Sequence, residues 1–351
     1  MRVLTAGLAA VYAVILAGCQ VVGEKEIFVY MPDGAPAMAF AELMRKDMDG
    51  DGVSYRVVSP TLVASKVTNK VEEKNADICA LPVTAASKLL GDGARYQMLG
   101  TLTNGNLYLL SKDSETLNGL QATAYKDLSV LLGKTVGVMK INDMPGLTFQ
   151  SILNDYGVAW QVLGNDGEQA ADKINLKAIS DATAIDPADT QLACYLVAEP
   201  AASVQITKNG FQIACSLELL YHKGEIPENC EGVSFTGYPQ AVLVAKKSLI
   251  DSRKAWLDEF IAQVKNSTEW LYTDAANGDS VTAAIKAHLE DGGYTTTLNS
   301  KVLTAECIRR CGVRFTESAA CKDGVTAYLQ RIMAMQSTGA KAVADEFFYQ
   351  G

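Results

Sequence analysis

Apolar positions recur along this chain in blocks that switch between a two-residue and a three-to-four-residue period, the repeats of strand and helix. Residues 27–31, 53–58, 77–81, 96–102 and 107–111 read as strands. Between them, 36–47 reads as a helix with Met38, Ala41 and Met44 on one stripe, 61–71 as a helical segment and 84–90 as a short helix. The middle of the chain repeats the order. It shows a strand at 134–139, a helix at 145–156 stopped by Gly157, strands at 158–163 and 192–198, a helix at 200–207 and a strand at 211–220. Strands alternating with helices of this length imply βαβ units and mostly parallel sheets.

The two halves echo each other. Each opens with strand, loop, X-Pro and helix, at Ala35-Pro36 and Met144-Pro145. Each later sets Ala-Ala-Ser after a strand and a proline, at Ala85-Ala86-Ser87 and Ala201-Ala202-Ser203. This predicts two similar α/β lobes. One more strand, 240–245, precedes long amphipathic segments at 249–272, 280–289, 302–310 and 324–335, with no proline after Pro239. Such helices behind a second lobe predict a chain that returns to brace the first. The crossings are expected near 107–111 and 240–245. One lobe is then 27–108 plus 243–351, and the other 109–242.

The N-terminus carries a different signal. Met1-Arg2 is followed by an apolar run from Val3 to Leu16 and then Ala17-Gly18-Cys19, which is the layout of an export signal. The run is short of the ~20 residues of a membrane-spanning helix. Leu16-Ala17-Gly18-Cys19 is similar to a bacterial lipobox. That resemblance implies a cleaved signal peptide (1–18), a lipidated Cys19, a tether (19–26) and an extracytoplasmic protein held to the bacterial cell membrane by lipid alone. Of eight cysteines, lipidation leaves seven, so at least one thiol stays free. Cys215 and Cys230 bracket a polar loop and are the candidate disulfide pair. One bridge is also expected among Cys307, Cys311 and Cys321. No fourth Cys or His lies near that trio, so no metal site is expected.

Composition narrows the classes. The chain has 351 residues and a net charge of −9, which argues against nucleic acid, whose phosphates need a basic face. With 48% hydrophobic and 20% charged residues it reads as an ordinary globular protein. Its two histidines, His222 and His288, leave little material for zinc or histidine-based catalysis. Gly133-Lys134-Thr135 imitates the end of a nucleotide-binding loop, but Leu128 stands where that motif needs a glycine. Residues 47–52 imitate half of a calcium loop, but Val58 stands where a bidentate Glu is required, leaving an acidic turn.

The lipobox, the two α/β lobes with two crossover strands and the helical return together resemble the type II periplasmic-type solute-binding proteins of ABC transporters. Four stretches are similar to the nitrate/sulfonate/taurine and thiamine-precursor (NMT1/THI5-like) branch: Met31-Pro32-Asp33-Gly34-Ala35-Pro36, Gly133-Lys134-Thr135-Val136-Gly137-Val138, Ala198-Glu199-Pro200-Ala201 and Tyr238-Pro239-Gln240-Ala241. The resemblance implies a Venus-flytrap of two lobes, each a mostly parallel sheet flanked by helices. It implies a monomer without cofactor or catalysis, capturing a small-molecule solute for ABC permease and ATPase subunits.

The strand-to-helix turns supply the candidate site. Asp33, Gly34, Ala35 and Ala37 form one; Asn142, Asp143, Met144 and Gly146 form its counterpart. Proline at the first helical position would make Ala35 and Met144 the N-caps. Both are poor caps, which leaves open N–H groups for a polar ligand. Thr84, Thr103, Asn104, Glu199, Tyr238 and Gln240 complete the set. The loops hold no Arg and one Lys, Lys140, whereas sulfonates and phosphates recruit Arg forks. Asp33, Asp143 and Glu199 can meet an amine, and Met31, Met144, Tyr108 and Tyr238 an apolar body. The inventory favours a neutral, zwitterionic or heterocyclic solute. The competitors are a thiamine-pyrimidine-synthase-like enzyme on the same fold, disfavoured by the absence of histidine before residue 222, and a ligand receptor for a membrane sensor.

Overall fold

The computed structural model describes residues 26–46, 52–122, 127–164, 167–223, 237–274, 276–290, 294–296, 298–335 and 338–351. In chain order the first pass gives β1 (Ile27–Pro32), α1 (Ala35–Met38), α2 (Ala41–Lys46), β2 (Val53–Val58), β3 (Ile78–Pro82), α3 (Val83–Leu90) and β4 (Tyr96–Asn104). After Gly105-Asn106 come β5 (Leu107–Ser111), α4 (Ser114–Ala122), β6 (Thr135–Met139), α5 (Met144–Asp155), β7 (Trp160–Leu163) and β8 (Ile174–Ile179). Then follow β9 (Leu192–Ala198), α6 (Ala201–Asn209), β10 (Gln212–Ser216) and α7 (Leu217–Tyr221). The return is β11 (Pro239–Lys246), α8 (Lys247–Ser252), α9 (Lys254–Trp270), α10 (Gly278–Ala287), α11 (Ala305–Arg310), β12 (Val313–Glu317) and α12 (Ser318–Ala334).

The strands form two six-stranded sheets, β12-β4-β11-β3-β1-β2 and β10-β5-β9-β6-β8-β7. In the first, β1 pairs in parallel with β2 and β3, while β11 is antiparallel to both its neighbours, β3 and β4. In the second, β6, β7, β8 and β9 are parallel and β5 is antiparallel to β9. Strands covered on both faces need apolar side chains throughout. Ile78-Cys79-Ala80-Leu81 is accordingly fully buried. The chain leaves the first sheet through Gly105-Asn106 and re-enters it at β11, so β5 lies wholly in the second sheet and β11 wholly in the first.

The helical return packs where expected, with α9, α10 and α11 in one apolar cluster with β1, α1 and α2. It also does more. Tyr328 of α12 meets Thr148 of α5 hydroxyl to hydroxyl at 2.8 Å, and Arg331 pairs with Asp155. α12 therefore bridges both lobes.

Several elements depart from the pattern. The 36–47 helix is two short ones, broken at Ala39-Phe40, and 61–71 contains only a short 3-10 turn, Val63–Val67. The strand expected over 211–220 ends at Ser216, whose hydroxyl caps α7 by accepting from the Glu218 N–H at 3.2 Å. Segment 249–272 is interrupted at Arg253. Cys307, Cys311 and Cys321 are thiols, not a bridge. The first two sit one turn apart around α11, while Cys321 donates to the Thr316 and Ser318 carbonyls. Cys215 is a buried thiol of β10; its candidate partner Cys230, like Cys19 and the acidic turn at 47–51, lies outside the described residues.

Candidate functional site

In open α/β sheets ligands bind beyond the carboxyl ends of parallel strands. Here such ends from both sheets converge on one cavity of about 320 Å³. Pro32 to Pro36 follow β1, Pro60 and Val63 follow β2, and Pro82 ends β3. Lys140, Met144 and Pro145 follow β6, and Ala198 to Ala201 close β9 and open α6. Thr103, Asn106, Leu107, Gln240 and Ala241 form the floor where the chain passes between lobes, and Tyr294 covers one side. A larger hollow of about 670 Å³, lined by Lys134, Thr135, Asp189 and Leu192, lies at the amino ends of β6 and β9, away from this convergence.

Six of the chain's nine prolines line the cavity. They give it a rigid apolar wall and remove backbone donors. The helices that face it begin without side-chain caps: Gly34 for α1, Pro82 for α3, Asp143 for α5 and Pro200 for α6. Proline in α1 and α5 thus stands second, and the caps are Gly34 and Asp143 rather than Ala35 and Met144. None of these N-cap side chains closes its first turn, but in α6 the Glu199 carboxylate does so by accepting from the Ser203 N–H. Gly34 has φ 108°, a left-handed geometry that glycine adopts without cost.

Both carboxylates at the cavity are already committed. Asp33 accepts from the Tyr294 hydroxyl at 2.8 Å, the Thr296 hydroxyl at 2.8 Å and the Gly34 N–H at 2.9 Å. Burial, together with the Asp33 charge, pushes the Tyr294 phenol up. Glu199, its side chain fully buried, is met from the first lobe by Arg310 Nε at 2.7 Å. The Ser203 N–H and hydroxyl both donate to Glu199 at 2.9 Å, and Arg310 also donates to the Ser203 hydroxyl at 2.9 Å. The Tyr108 hydroxyl donates to the Arg310 carbonyl at 3.1 Å, and burial raises that phenol. Arg310 is therefore a clasp between α11 of one lobe and the β9–α6 turn of the other.

Of the residues singled out by sequence, Asp33, Gly34, Ala35, Thr103, Met144, Glu199 and Gln240 line the cavity. The others do not. Ala37 is buried inside α1, and Thr84 in the first turn of α3. Asn104 lines a separate hollow with Pro239 and Arg314. Asn142 and Asp143 are exposed, and Gly146 is buried so closely on Ile141 that a Cβ would lie 2.3 Å from its carbonyl oxygen. Tyr238 lies beneath the floor, accepting from the Leu107 N–H at 3.1 Å and stacking on Tyr328. Sequence reasoning missed Tyr294, Thr296 and Arg310. The first two lie in an aperiodic polar stretch. The sequence pattern places Arg310 in an amphipathic segment that braces the first lobe, and nothing in its spacing marks the reach to Glu199.

No family model matches the chain, and no curated protein matches it. Solved structures do. An ABC transporter protein from Parabacteroides distasonis is 19% identical over 93% of this chain and 99% of that one, with a TM-score of 0.66. The periplasmic aliphatic sulphonate binding protein SsuA from Escherichia coli is 11% identical over 91% and 95%, with a TM-score of 0.56. The alkanesulfonate-binding protein SsuA from Xanthomonas axonopodis pv. citri bound to MOPS is 12% identical over 92% and 95%, with a TM-score of 0.51. At these identities the likeness is one of fold. The chain has the two-lobed α/β fold of ABC-transporter periplasmic binding proteins.

Proposed function

We propose that this protein is the solute-binding component of an ABC importer. In this reading it is lipid-anchored outside the cytoplasm through Cys19, acts as a monomer and needs no cofactor. It captures a small solute between two lobes, one built on each sheet, and hands it to permease and ATPase subunits. The observation that carries the reading is the convergence of strand ends from both sheets on one cavity, spanned by the Arg310–Glu199 clasp. The role is capture, closure and release, with no chemistry assigned.

The solute class follows from the lining. Prolines and aliphatic groups suit an apolar or flat body, and no Arg lines the cavity among the described residues to fork an oxyanion. We therefore favour a neutral, zwitterionic or heterocyclic solute. It does not pair with Glu199, whose two oxygens already meet Arg310, Ser203 and Cys307. A second reading, an anionic head group, is favoured by Lys140 and the uncapped first turns of α3 and α5, and by the sulfonate named for two fold neighbours. A thermal-shift panel of small anions, sulfonates, pyrimidines, flavins and amines separates them. A solute at a hundredfold excess over its dissociation constant adds about 2.7 kcal/mol. Stabilisation by simple anions alone overturns the favoured class.

A further inference from the structure

Asn106, on the floor of the cavity, has a buried side-chain oxygen with no partner among the described residues. Asn106 lies between β4 and β5, where the chain first passes from one lobe to the other, and it lines the cavity while only 5% exposed. Its N–H donates to Gln240 Oε1 at 2.9 Å and its carbonyl accepts from the Glu199 N–H at 2.9 Å. Its Nδ2 donates to the Glu199 carbonyl at 3.4 Å. Its Oδ1 accepts from nothing among the described residues. The Nδ2 contact settles which end of the amide is oxygen, because the reverse orientation would set Oδ1 against the Glu199 carbonyl, acceptor to acceptor. The unpaired end is an acceptor, and buried polar atoms are nearly always satisfied by protein, water or ligand.

We propose that Asn106 Oδ1 is a specificity-determining acceptor of the cleft, and that the bound solute presents an N–H or O–H donor to it. This rests on the cleft being the solute site. The remaining lining sharpens the assignment. Glu199 is met by four internal donors and Asp33 by three, so Asn106 Oδ1 is the acceptor at the cavity that no described residue meets. Asn106 also joins Gln240 of the first sheet to Glu199 of the second. A donor seated on it is therefore held at the junction the two lobes share. The solute class is a small molecule with an apolar or flat body and an amide, amine or ring N–H, or a hydroxyl.

Matched pairs that differ in that donor test the proposal on the mature chain by calorimetric titration. The probes are nicotinamide and N,N-dimethylnicotinamide, thymine and 1,3-dimethylthymine, and taurine and N,N,N-trimethyltaurine. The donor-bearing member of any pair that binds should be favoured by roughly ten- to a hundredfold, the worth of one buried hydrogen bond. Asn106→Leu should erase that preference. Equal binding by both members of a pair in the wild type means water satisfies Oδ1, and it overturns the proposal while leaving the cleft as the site. Preference for the capped member overturns it as well. Failure of every pair to bind overturns the cleft reading beneath it.

Discussion

Removing Arg310 is a sharp perturbation because its two partners are so unequally exposed. The Glu199 side chain is fully buried, whereas that of Arg310 is 20% exposed and has a second carboxylate, Glu306, that is 71% exposed. In Arg310→Leu the Glu199 carboxylate keeps the two Ser203 donors and the Cys307 thiol but loses its counter-charge. An unpaired buried charge costs about 3–5 kcal/mol. The molecule avoids that cost by parting its lobes, since the pair spans the cleft. A shift of about 3 kcal/mol against the closed form is a little over a hundredfold in population. A solute that needs closure binds weaker by the same factor. Glu199→Gln retains a neutral partner at the buried end and leaves Arg310 with Glu306, so it should cost only about 1–2 kcal/mol. Small-angle scattering with an interlobe fluorescence pair reads the effect. Arg310→Leu should expand and Glu199→Gln much less. A variant as compact as wild type, or Glu199→Gln the more damaging of the two, refutes the reasoning.

Three further outcomes are expected. Tyr238→Phe leaves the buried Leu107 N–H without its acceptor and should lower stability by about 1–3 kcal/mol in urea titration. Asp113 is held down to about 2 by the Thr116 hydroxyl, with Lys134 adding to the effect. Its contribution is present above the unfolded value of about 3.9 and lost as pH falls towards 2. Asp113→Asn should therefore cost up to about 1 kcal/mol at pH 6, the side chain being 39% exposed, and almost nothing at pH 2. Cys19→Ala should release the protein from membranes or leave the precursor uncleaved; a cleaved variant that still sediments with membranes contradicts lipidation.

The architecture was legible because its signals are local and repeated. The Ala-Ala-Ser triplets fall in α3 and α6, each after a strand and a proline, Pro82 and Pro200, and both helices open at the cavity. What escaped was set by distant context. The strand β12 alternates cleanly, Val313 and Phe315 inward and Arg314 outward, but it stands among helices and gains its pairing from β4, some two hundred residues earlier. The segment 61–71 carries helix-compatible residues, yet the chain there makes only a short turn on the way to β3. Asp33 and Glu199 were identified as cleft residues, but their protein partners Tyr294, Thr296 and Arg310 are brought to them by folding alone.

The central claim is that a small solute sits in the cavity between the lobes, and native mass spectrometry tests it most directly. Ala201 is half-buried on the cavity wall, and Ala201→Trp fills the space a solute would occupy. The wild-type chain, gently purified and then titrated with the matched pairs, should carry a one-to-one small-molecule adduct that Ala201→Trp lacks. An adduct retained in Ala201→Trp, or none in the wild type from any source, would contradict the account.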